Sequence, residues 1–229
     1  MLKLIKLEWR RNNIGKLIRS AAIMTAVVMF FIIMTAGEAA ADFATRGFFN
    51  KSFINASVEL FTHMSYMVFT GVMLAGFIVG DYERGTIRLL FSYPIKRQKI
   101  MLSKMFAVWI FNFTALIISK LLIYAAVLLT RSFTHIPASD IPYGSWLFWA
   151  EVFLSSAAMV SISFLALPVG MKMKSSRATV VTAVIVVCFT QGNIGEFTLV
   201  NSVPFYMLLF MLSIVSVFLS IYHVEVKDV

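Results

Sequence analysis

An all-α membrane protein with six transmembrane helices is the architecture this sequence predicts, and three observations predict it. Of 229 residues, 60% are hydrophobic and 14% are charged, whereas a soluble domain carries about 25% charged residues. Six apolar stretches follow one another at about 18–36, 60–80, 105–130, 146–170, 178–195 and 203–223, each near the ~20 residues that a helix needs to cross hydrocarbon. The basic residues are sorted between alternate connecting segments. A backbone in lipid must satisfy its own hydrogen bonds, and long apolar runs without strict alternation fit helices better than a barrel. The length suits one domain over residues 1–229.

The amino-terminal segment predicts a short interfacial helix. Lys3, Lys6 and Arg10 share one stripe at helical spacing, with Leu2, Ile5 and Trp9 beside it. Such a helix rests at the headgroups, its ring anchored and its cations near anionic lipid; a plain basic tail is the competing reading. Residues 21–36 followed by Ala39, Ala40 and Ala41 resemble a signal peptide. The basic region before them and the apolar run itself are too long for one, which leaves a retained first span. Phe43, Phe48, Phe49 and Phe53, set among Arg46, Asn50 and Lys51, form either an amphipathic helix that meets a substrate or a simple interfacial anchor.

Lys and Arg set the orientation. Sixteen lie before the first apolar stretch, between stretches two and three, between four and five, and after the sixth, while Arg46, Lys51 and Arg131 alone occupy the other connections. The positive-inside bias therefore places both termini in the cytoplasm. It also accounts for the net charge of +9 without nucleic acid as a partner. Cys188 is the one cysteine, which excludes internal disulfides and cysteine-based metal sites.

The segment from Gly80 to Lys104 is the most informative. Asp81 reads as the cap of a new helix, and Glu83 suits its positive end. Ile87, Leu90 and Phe91 form one apolar face, and Arg84 and Arg88 an i,i+4 pair on another. Pro94 ends that helix, and Lys96, Arg97 and Lys99 then meet the headgroups. The product is a short, partly apolar helix shaped to enter a groove on a soluble partner.

Glu83, Gly85, Thr86, Leu89, Leu90, Pro94, Arg97 and Lys104 here resemble the pattern of type 2 ATP-binding-cassette exporter permeases. That pattern is an acid, spacers, Gly-Thr, a Leu-rich helix, Pro, basic residues and a Lys opening the third span. The resemblance covers the whole chain, because span number, termini and lead-in helix also fit. It implies that Asp81, Glu83, Arg84, Gly85, Thr86, Arg88, Leu90 and Phe91 belong to a cytoplasmic coupling helix between spans two and three. It further implies two copies of a cytoplasmic ATPase subunit carrying ATP and Mg, and a second permease, identical or homologous. The setting it implies is the bacterial plasma membrane. Permeases of lantibiotic-immunity, bacitracin-resistance and modulin-exporting systems are the most similar in size, which suggests an amphipathic, membrane-active peptide as substrate. The chain has no Gly-x-x-x-x-Gly-Lys-Ser/Thr phosphate loop and no triad or metal-ligand cluster, so no cofactor or catalysis is expected within it.

Lys120 is the cation deepest in a span, where an unpaired charge costs about 2.5–3.5 kcal/mol on insertion scales. It lies ~22 Å from the start of span three. Snorkelling, internal pairing and a place on the translocation path are all open to it. Asn112 and Ser119 share a face of the same helix and either line a seam with a second copy or bond neighbouring helices. Pro168 and Gly170 read as the stop of span four. Residues 191–202 form either a re-entrant helix pair or an outer loop. Two other functions stay open: an ion-gradient transporter, which needs buried acids or histidines, and a membrane scaffold for a soluble partner.

Overall fold

The computed structural model describes residues 2–46, 53–85, 97–134, 144–191, 193–194, 197–198 and 203–226. Helix α1 is Leu2–Arg11 and ends at Asn13, whose φ of 51° is a left-handed turn that Asn tolerates. Helix α2 is Ile14–Arg46. Helix α3, Phe53–Leu74, runs through a π-turn at Ala75–Val79 into α4, Gly80–Glu83. Helix α5 is Arg97–Thr134; α6, Trp146–Ile162, passes through a 3₁₀ turn at Ser163–Leu165 into α7, Ala166–Met173. Helix α8 is Ser176–Gln191, and α9 is Val203–Val226. A two-stranded antiparallel hairpin, Asn193–Ile194 with Phe197–Thr198, lies between them.

Among the described residues, five helices are long and apolar enough to cross a membrane: Ile14–Thr35, Ile54–Glu83, Arg97–Thr130, Trp146–Met173 and Phe205–Tyr222. The expected span at about 178–195 is α8, whose 16 residues rise only ~24 Å against ~30 Å of hydrocarbon. Burial differs from that of a soluble protein. Leu129, Leu147, Leu154 and Phe218 are largely exposed, while Thr70, Lys104, Asn112, Lys120 and Ser156 are buried. Apolar surface facing outward along such helices is stable only against lipid.

The chain divides into two compact units. Unit two comprises Gly15–Ser65 and Thr114–Ser156. Its core contains Val28, Ile32, Val58, Ile123, Tyr124, Val127, Phe148 and Val152. Tyr124 meets Phe148 edge to face at 5.5 Å, and its hydroxyl donates to Asn55 Oδ1 at 2.5 Å. Unit one comprises Met1–Ile14, Tyr66–Phe113 and Ala157–Val229. Small residues let its helices approach closely: a Cβ on Gly71 would lie 2.3 Å from Ala183 Cβ, and one on Gly170 would lie 1.9 Å from Thr179 Oγ1.

Several expectations are corrected. Pro168 and Gly170 do not stop span four; helical structure continues to Met173 and ends at Lys174, φ 48°. Proline removes the N–H that would bond the carbonyl four residues earlier. That carbonyl, on Phe164, instead accepts the Ser216 hydroxyl of α9 at 2.9 Å. Asp81 does not cap a new helix. The π-turn carries helical structure through it, and Val79 holds the cap position without a side-chain bond. The paired residues in the 191–202 segment form strands and not a helix pair. Phe43 and Phe53 belong to no separate amphipathic helix, since α2 runs to Arg46 and α3 starts at Phe53. Residues 47–52, with Phe48, Phe49, Asn50 and Lys51, lie outside the described residues.

The glycine contact gives a direct test. Gly71→Ala is expected to cost about 1–3 kcal/mol, the usual overpacking penalty, measured as a lower melting temperature in detergent. Adding Ala183→Gly is expected to restore most of it, because the clash is with that one methyl group. A single variant as stable as wild type would refute the close packing.

Candidate functional site

The π-turn and α4 form the site in unit one to which the informative segment leads. A π-turn shifts the hydrogen-bond register, and side chains from other helices approach its carbonyls. Lys104 Nζ of α5 donates to Phe77 O at 2.9 Å, and Ser176 Oγ of α8 lies 3.5 Å from Ala75 O. One turn later Asp81 is buried, and both of its carboxylate oxygens are bonded. Lys104 Nζ donates to Oδ2, and Arg11 of α1 donates to Oδ1 at 2.6 Å. Glu8 completes the group at 3.8 Å from Lys104 Nζ and 3.9 Å from Arg11. Two acids and two bases thus meet with no formal net charge. Leaving any of them alone at such a site is costly, which ties α1, α4 and α5 together.

Glu83, exposed at the end of α4, makes a second tie. Its Oε2 accepts the Ser176 backbone N–H at 3.1 Å and the Ser176 hydroxyl at 2.5 Å. Ser176 is the first residue of α8, so the carboxylate satisfies an orphan donor and places negative charge at the positive helix end. Gly85, φ 69°, ends the helix in the left-handed conformation that glycine adopts without strain. Arg84 is exposed. Thr86, Arg88, Leu90 and Phe91, the remaining residues expected in the coupling helix, lie outside the described residues, as do Leu89 and Pro94. The 81–85 exit is therefore fastened on both sides before the chain continues.

Helix α1 carries Lys3, Lys6 and Arg10 on its exposed side, as the stripe predicts. Trp9, expected as a headgroup anchor, donates its Nε1–H to Ala107 O of α5 at 3.1 Å. Glu8 and Arg11 were not singled out in the sequence. Glu8 is the lone acid in a basic helix, and that was the available signal.

The residues expected on a translocation path divide. Asn112, in unit one, is fully buried; its Nδ2 donates to Val108 O at 2.9 Å and to Met73 Sδ at 3.2 Å, while its Oδ1 has no partner among the described residues. Ser119 and Lys120 belong to unit two. Ser119 is buried and shares a 2.5 Å hydrogen bond with Thr25. Lys120 does not snorkel but pairs internally, donating to Glu59 Oε1 at 2.6 Å and Ser155 Oγ at 3.4 Å, with His63 Nε2 2.9 Å away. Glu59 precedes the apolar stretch at about 60–80, and α3 starts early enough to hold both Glu59 and His63.

Taken together, outward apolar helices, buried charge and one helix exit braced by three others define a multi-pass membrane protein with an anchored interhelical junction. A model of the ABC-2 family transporter proteins matches residues 4–191, most of the chain, which therefore belongs to that family. It is a membrane permease component of an ABC transporter, and membership implies a separate cytoplasmic ATPase subunit as partner. A similar protein is the uncharacterized YcbO of Bacillus subtilis (strain 168), 22% identical over 206 residues covering 86% of this chain and 87% of that one. No solved structure matches.

The Asp81–Lys104 pair predicts non-additive stabilities. Asp81→Asn and Lys104→Gln should each lower the melting temperature, while the double variant loses less than the sum. The expected interaction energy is about 0.5–3 kcal/mol. Strict additivity would show that the pair carries no coupling.

Proposed function

We propose that this chain is the six-span permease of an exporter that moves a hydrophobic or amphipathic molecule, an amphipathic membrane-active peptide by preference, powered by its partner ATPase. In this reading α8 is the sixth crossing, short enough to thin the bilayer locally, and both termini are cytoplasmic. The ATPase docks on residues 81–93, and two permeases, identical or homologous, form the pathway. The observation that supports it most is the fastening of the 81–85 exit. Asp81 is held by Lys104 and Arg11, and Glu83 by Ser176. Force applied to a segment so connected moves α1, α5 and α8 together, which is the requirement for rocking spans between inward- and outward-facing states. The peptide preference rests on resemblance and on the apolar exterior, from which a membrane-partitioned molecule enters laterally.

One observation favours a second reading, an ion-gradient transporter. The Glu59–His63–Lys120–Ser155 cluster supplies buried ionisable groups of the kind such coupling needs. A membrane scaffold without transport has no comparable support.

Co-purification separates these readings. The ATPase is expected to accompany the wild type and to be retained about tenfold less, ~1.4 kcal/mol, by Glu83→Lys or Leu90→Asp. Full retention by both variants would remove residues 81–93 from coupling. Transport that survives deletion of the ATPase but is abolished by Lys120→Met would establish the second reading.

A further inference from the structure

A groove of about 260 Å³ opens in unit one between α5, the 3₁₀ turn after α6, and α9. Leu102, Phe106 and Trp109 form one wall, Phe164 the floor, and Phe210 and Phe218 the other wall. Ser161 is one of its few polar side chains, and that hydroxyl is already engaged. It donates to Ala157 O at 2.8 Å and accepts Trp109 Nε1 at 3.2 Å. Trp109 therefore turns only its ring to the groove, stacked on Phe113 at 5.0 Å. The walls rise ~10 Å from Leu102 to Trp109 and ~12 Å from Phe218 to Phe210, which fits within one leaflet, about half of a ~30 Å hydrocarbon core.

The mouth of the groove is not neutral. Lys99 precedes Leu102 and Phe106 at helical spacing, which puts all three on one stripe of α5. It is exposed, and no acidic side chain pairs with it among the described residues. Tyr222, exposed one turn beyond Phe218, stands on α9 where interfacial aromatics gather. A dry apolar slot of leaflet length, ending at a cation and a phenol, has the chemistry of a two-part amphiphile with a negative head.

We propose that this groove is a binding site for an anionic phospholipid, with its acyl chains between α5 and α9 and its phosphate at Lys99. The site is independent of the substrate and of the ATPase: it faces the surrounding bilayer and selects which lipid stands there. Juxtamembrane cations attract anionic lipid in just this way, and the groove adds the apolar contact that makes the attraction local.

The test uses the full chain in nanodiscs of mixed phosphatidylglycerol and phosphatidylcholine, with a trace of either lipid carrying a diazirine on its acyl chain. After irradiation, labelled residues are mapped by mass spectrometry. The phosphatidylglycerol probe is expected to label 102–109 and 210–218 about fivefold more than the phosphatidylcholine probe, the preference one surface cation gives. Lys99→Gln, a surface change that leaves the fold intact, should bring that ratio to about one. Ile214→Trp, which fills the groove, should lower labelling by both probes there and leave the exposed face of α2 at Val27 and Phe30 unchanged. Equal labelling by the two probes in the wild type would overturn the proposal. So would disulfides between copies carrying Phe106→Cys and Phe218→Cys, which would assign the groove to a second chain.

Discussion

The Asp81 carboxylate, held between Lys104 and Arg11, is the constraint on which unit one depends. Each partner arrives from a different helix, Arg11 from α1 and Lys104 from α5. Breaking a buried pair costs about 3–5 kcal/mol, because the surviving charge has nothing to bond. That penalty fixes where α4 ends relative to α1 and α5, and hence the direction in which the chain leaves toward residues 86–96. Glu83 settles the opposite side by capping α8. Such a cluster confers position more than net stability, since well-packed apolar residues would stabilise the fold as well.

A second theme is that irregular backbone is matched by side chains from elsewhere. The π-turn at Ala75–Val79 presents Phe77 O to Lys104. Pro168 strips Phe164 O of its usual donor, and Ser216 replaces it. In hydrocarbon a backbone carbonyl has no water to fall back on, so each defect requires a donor. Lys104 serves twice, once for the π-turn and once for Asp81, and the local irregularity and the charge cluster are therefore one feature. Unit two shows the same economy with charge: Lys120, Glu59 and His63 satisfy one another inside the helices.

Much of the architecture was legible from the sequence, because hydropathy reports burial in lipid directly. Long apolar runs marked the helices, and the stripe of Lys3, Lys6 and Arg10 marked the solvent side of α1. What was not legible depends on pairing across the chain. Lys104 was noticed as a motif position, but a partner 23 residues away is invisible to local pattern. Asp81 was read as a cap because helix starts favour Asp, and the tertiary pull of two cations overrode that preference. Pro168 and Gly170 were read as a stop by the same local logic, yet Ser216 and the close approach of Thr179 make the helix tolerate both. Glu59 falls outside the apolar stretch at about 60–80 because a hydropathy window ends at a charge even when the helix does not. The bond of Trp9 to Ala107 leaves no local trace either.

Hydrogen–deuterium exchange on wild type and Lys104→Met tests the central claim most directly. If the Asp81 cluster positions the α4 exit, amides of residues 2–11 and 80–85 lose protection together in the variant, while those of 183–191 in α8 keep theirs. Unchanged exchange, or loss confined to one of the two segments, would contradict the claim that one buried carboxylate holds them both.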